Sequence, residues 1–86
     1  MKNLRRLLFV KEFENKQFVT TIYTYPIIDG DKEFNIVTNK SNGLQDLYEV
    51  FYLGSNGENK VLSLVCEGVT NRELLKTLYY KFKVII

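Results

Sequence analysis

An 86-residue chain with a formal net charge of +2 has room for one hydrophobic core and no second one, so residues 1–86 are read as a single domain. At 45% hydrophobic and 26% charged residues, with six Phe and six Tyr, it lies far from the compositions that stay disordered. Histidine is absent, which excludes Ser-His-Asp and Cys-His nucleophile systems, imidazole acid–base catalysis and His-containing zinc sites within one chain; a lone cysteine excludes a Cys-rich metal centre.

The chain opens with Lys2, Arg5 and Arg6, followed by the apolar stretch Leu7 to Val10, which Lys11 interrupts. That stretch is too short for a secretory core, and no segment approaches the roughly 18 apolar residues that span a bilayer. Together with the single Cys66, this predicts a cytoplasmic protein without a membrane partner. Residues 6–14 alternate as a strand, with Leu7, Phe9 and Phe13 on one face and Leu8, Val10, Glu12 and Glu14 on the other. Asn15-Lys16 supplies a turn. Residues 17–28 are β-branched and aromatic, which suits a second strand, and Pro26 cannot donate to a ladder, so that strand should be at an edge or an end there. Asp29-Gly30-Asp31 is a strong turn signal, and Glu33 to Thr38 resumes the strand as the third of a meander.

Residues 44–53 fit two periods. On a helical wheel Leu44, Leu47, Tyr48, Val50 and Phe51 share one arc, opposite Gln45, Asp46 and Glu49. As a strand, Glu49 would share a face with Leu47, Phe51 and Leu53. Ser41-Asn42 can cap a helix start and Gly54 suits its end, so a short helix is expected at 44–53. The rival is a hairpin, with Ser55-Asn56-Gly57 as its turn and Val61 to Cys66 as its return strand. Thr70 and Glu73 then form a capping box, with Val69 and Leu74 as a hydrophobic staple. From Asn71 on, Leu74, Leu75, Leu78, Tyr79, Phe82, Ile85 and Ile86 share one arc, opposite Arg72, Lys76, Thr77, Tyr80, Lys81 and Lys83. The final turn is also compatible with a strand at Val84-Ile85-Ile86. The expected fold class is α+β: a small antiparallel sheet, made of a three-stranded meander plus one or two further strands, packed against an amphipathic C-terminal helix, with a second short helix at 44–53.

The residues that could carry chemistry have plainer explanations. Cys66 sits in an apolar run and reads as a packed thiol. Asp29, Asp31 and Glu33 alternate across a glycine turn but lack the rest of a cation-binding loop. Gly54-Ser55-Asn56-Gly57 lacks the Lys-Ser/Thr of a phosphate loop. No catalytic, cofactor-binding or metal-ligating residue is assigned, and no enzyme activity is expected.

Charge is unevenly placed: residues 1–20 carry five basic and two acidic groups, residues 21–70 three and seven, and residues 71–86 four and one. Lys2, Arg5, Arg6, Lys76, Lys81 and Lys83 could thus join as one basic surface for phosphates. Tyrosine, a residue favoured at protein interfaces, recurs at Tyr23, Tyr25, Tyr52 and Tyr80, which are taken as candidate partner contacts. The expected function is a small non-enzymatic binding protein that recognises and modulates a protein partner. Abundant Lys, Asn, Ile, Phe and Tyr with no Ala suggest AT-rich coding, which fits an accessory protein of a phage or mobile element. The alternative is a nucleic-acid-binding module using the basic ends. A homodimer covering the edge at Pro26 and the apolar Ile85-Ile86 is a further option.

Overall fold

The computed structural model describes residues 9–85, with side chains from Lys11 onward. Six elements follow one another: β1 (Phe9–Glu14), β2 (Phe18–Ile27), β3 (Gly30–Asn39), β4 (Gln45–Leu53), β5 (Asn59–Val69) and α1 (Asn71–Phe82). The strands form one antiparallel sheet in the order β1-β2-β3-β4-β5, so every neighbour in space is a neighbour in sequence. This is the expected α+β class.

Short polar residues make the connections. Asn15 Oδ1 accepts from the N–H groups of Gln17 (2.9 Å) and Phe18 (2.8 Å), which closes β1 onto β2. Between β3 and β4, Asn39 Oδ1 accepts from Ser41 and Asn42 Oδ1 from Leu44, while the Asn39 N–H donates to the Leu44 carbonyl at 2.9 Å. Pro26 lies one residue from the end of β2, as its missing donor requires, and its carbonyl accepts from Ile85 N–H at 3.0 Å.

The short helix expected at 44–53 is not formed: Gln45–Leu53 is strand β4. Two facts decide against it. Ser41 and Asn42, residues that suit caps and turns alike, are used in the β3–β4 loop, so no helix start is capped. Glu49, whose place among apolar residues argued against a strand, meets Lys32 of β3 in an ion pair, and Lys32 Nζ also lies 4.5 Å from the Phe51 ring centroid. A cross-strand partner, invisible in the local pattern, removes the objection. Gly54, with φ 98°, opens the β4–β5 turn.

Helix α1 starts as its capping box dictates. Thr70 Oγ1 accepts from Glu73 N–H at 3.2 Å, and the Glu73 carboxylate accepts from Thr70 N–H at 3.0 Å, which holds the Glu73 carboxyl below its ordinary pKa. It ends at Phe82. Lys83 takes the left-handed conformation (φ 58°) and Val84 N–H returns to the Leu78 carbonyl, so the chain leaves the helix before Ile85. Ile86 lies outside the described residues. One face of the sheet and the helix enclose the core: Tyr25, Phe34, Ile36, Leu47, Leu74, Leu78 and Val84. Phe34 meets Phe82 edge-on with centroids 4.9 Å apart. The register sends Ile22, Asn35, Tyr48 and Leu64 to the opposite face, which no helix covers among the described residues. No described helix is long and apolar enough to cross a membrane.

Candidate functional site

The four candidate tyrosines do not share a surface. Tyr25 is 3% exposed in the core, and burial, followed by the nearby Tyr23, pushes its phenol up to about 12. Tyr23 stacks on it at 5.3 Å beneath the helix. Tyr25 is enclosed in the core, whereas Tyr23 is only partly buried and lines a cleft beside Leu74 and Leu75 of α1. Tyr80 is exposed on the outer side of α1, edge-on to Tyr79 at 4.9 Å. Tyr79, placed by its periodicity on the apolar arc, is instead half exposed. Tyr52 is exposed on β4, where the register puts it on the face opposite Tyr23 and Tyr25.

The basic candidates are likewise split. Lys2, Arg5 and Arg6 lie outside the described residues. Lys76, Lys81 and Lys83 are exposed on α1 and its cap. Arg72, Lys76, Leu75, Tyr79 and Tyr80 line a shallow groove there. Cys66 packs against the core; partial burial raises its pKa, which keeps it a protonated, weakly nucleophilic thiol at neutral pH. Asp29 and Asp31 are exposed in or beside the β2–β3 turn, and Glu33 is engaged elsewhere. Among the described residues no group of three or more acidic or Cys side chains could hold a metal ion.

The most distinctive surface is one that charge and tyrosine content did not single out. Six exposed large apolar residues gather on the β4–β5 hairpin: Phe51, Tyr52, Leu53, Val61, Leu62 and Leu64. Strand β5 is the outermost of the sheet, and every residue from Asn59 to Leu64 is exposed. Among the described residues, its outer side therefore offers a row of unpaired backbone N–H and C=O groups between apolar side chains. The sheet's other edge differs. The described part of β1 is six residues long and carries Lys11, Glu12 and Glu14, the charges that blunt an edge against pairing. The eleven residues of β5 bear charge only at Lys60 and Glu67.

A polar bridge stiffens this hairpin. Tyr52 hydroxyl donates to Glu33 of β3 at 2.9 Å, and Lys60 Nζ stands 3.4 Å from the same carboxylate. The bridge passes over Val50, which is buried on the open face. Slight desolvation and the Glu33 carboxylate raise the Tyr52 phenol above its ordinary pKa. At the tip, Glu58 folds back to accept from Asn56 N–H at 3.0 Å, and a Cβ on Gly54 would lie 2.7 Å from that carboxylate. Toward the base of the hairpin the ladder is irregular: Leu47 pairs with Cys66 but Tyr48 with Leu64, so Val65 and Cys66 share one rung. Beyond it Gly68 N–H donates to Asp46 Oδ1 at 2.8 Å. The regular, accessible edge is thus Asn59 to Leu64.

Comparison with protein-family models, with curated proteins and with solved structures returns no match.

Proposed function

We propose that the chain is a non-enzymatic binding protein that recognises and modulates a protein partner by taking an extended segment of it as a sixth strand on β5. The observation that carries this reading is an unblunted edge strand that is exposed and apolar over Asn59 to Leu64. Strand addition draws affinity from main-chain hydrogen bonds and specificity from alternate side chains. Here Leu62 and Leu64 would grip one side of the incoming segment and Val61 the other. The titratable groups that converge nearby, Tyr52, Glu33 and Lys60, are held in the hairpin bridge rather than presented to a substrate. Its residue usage supports an accessory role in a phage or mobile element.

The test compares capture from cell lysate by the wild-type chain and by the Leu62→Lys/Leu64→Lys variant. The wild type should retain a protein at stoichiometric level, and the variant should lose about tenfold or more of it. Equal capture by both would move the contact away from β5, and no capture by the wild type would count against the reading. A nucleic-acid-binding role has one observation in its favour, the groove where Arg72 and Lys76 flank Tyr79 and Tyr80. Nucleic acid that copurifies and is released by salt would support it; no mobility shift at low salt would reject it.

A further inference from the structure

Resting on the assignment of β5 as a strand-accepting edge, we propose that its first occupant is β5 of a second copy of this chain, paired antiparallel about a twofold axis at Ser63. Two five-stranded sheets would then join into one continuous sheet.

Symmetry limits the registers. A twofold axis that runs two edge strands antiparallel stands normal to the sheet and keeps every side chain on its own face. Residues opposite one another must therefore share a face, which requires one residue to sit opposite its own copy. With Ser63 at that position, Leu62 of each copy faces Leu64 of the other, and both lie on the open face beside Val50 and Tyr48. The next rung sets Val61 against Val65 and Cys66, which occupy one rung because of the irregularity in β5. That irregularity carries Glu67 one rung inward, opposite Lys60 of the second copy. The match occurs twice, once at each end of the interface.

Neighbouring registers lose this match. A centre at Leu62 sets Glu67 against Glu58 and Lys60 against Leu64. A centre at Leu64 sets Glu67 against Leu62 and carries Lys60 past Val69, the last residue of β5. Only the Ser63 register opposes unlike charges and keeps the apolar residues together, so the edge is complementary to its own reversed copy. Its cation and carboxylate stand at opposite ends of an apolar centre. Such a pairing also shields an edge that would otherwise template aggregation, and it would compete with any partner segment for the same groups.

An edge of this length falls at the small end of specific interfaces, so association in the micromolar range or weaker is expected. Sedimentation equilibrium from about 1 to 500 µM should show the mass rising from 10.1 kDa toward twice that value. Lys60→Glu alone and Glu67→Lys alone each set like charges opposite, and each should weaken the dimer about tenfold or more. An equimolar mixture of the two variants restores both unlike pairs and should recover the dimer. The mixing arm needs only that both variants fold, which circular dichroism verifies; Glu67→Lys carries the test if Lys60→Glu does not fold. A wild type that stays monomeric throughout, or a dimer indifferent to these reversals, overturns the proposal. If the monomer still captures a partner that Leu62→Lys/Leu64→Lys loses, the dimer alone is refuted and the strand-accepting edge stands; if capture too is indifferent to that variant, both fall.

Discussion

Tyr25 and Asn35 show how burial turns single side chains into measurable properties. Tyr25 sits in the core, and its pKa, pushed up to about 12, exceeds the value near 10 of an unfolded tyrosine. The folded state thus holds the phenol proton more tightly than the unfolded one. Its contribution to stability is complete below pH 10 and is lost as pH rises from 10 toward 12. Urea midpoints measured from pH 8 to 12 should fall across that window in the wild type and fall less in Tyr25→Phe; an equally steep decline in the variant would remove Tyr25 as the cause. Asn35 is buried on the open face between Ile22 and Tyr48, and its Oδ1 has no hydrogen-bond partner among the described residues. A buried amide oxygen left without a partner is destabilising. Asn35→Leu should therefore raise stability by about 1 kcal/mol, read as a Tm increase of roughly 4–8 °C, and an unchanged Tm would show that the oxygen is satisfied.

Among the elements, the strand at 45–53 depends on a contact that lies outside its own sequence. Lys32 reaches from β3 to Glu49 and Phe51, and both members of the ion pair are largely shielded from water. Lys32→Ala leaves Glu49 without its cation on a partly buried face, and should cost about 1–2 kcal/mol in urea denaturation. Adding Glu49→Leu should recover most of that loss; additive losses in the double variant would mean that the pair does not couple. The same contact explains what the sequence concealed. Thr70 and Glu73 are three residues apart and satisfy one another, so α1 was legible at its start without any tertiary information. Its end was less so, because the left-handed turn at Lys83 has no glycine to announce it. Glu49 could be placed only by knowing that Lys32 stands across from it. Tyr25 is hidden for a related reason: Tyr23 and Tyr25 alternate as a strand should, but alternation does not say which face a later helix will cover.

For the whole molecule, the decisive asymmetry is between a covered face and an open edge. The apolar run Val61 to Cys66 carries no local mark of an edge, yet the meander makes its strand the outermost of the described sheet; rank order in a sheet is a global property that no window of residues contains. This separates residues that hold the fold from residues that face outward, and the separation can be measured. Leu78, on the sheet-facing side of α1, is fully buried in the cluster with Phe34, Leu47 and Leu74, so Leu78→Ala should cost about 2–5 kcal/mol through lost contacts and a residual cavity. A chain of this size has only a few kcal/mol of stability to lose, so Leu78→Ala should be largely unfolded at 37 °C by circular dichroism. Leu62→Lys/Leu64→Lys changes two side chains that are already 46% and 49% exposed, and its melting curve should match that of the wild type measured at a concentration where both are monomeric. If the edge variant unfolds as Leu78→Ala does, Leu62 and Leu64 belong to the core and β5 is not a recognition surface. A stable edge variant beside an unfolded Leu78→Ala would place the fold's support under the helix and leave β5 free for recognition.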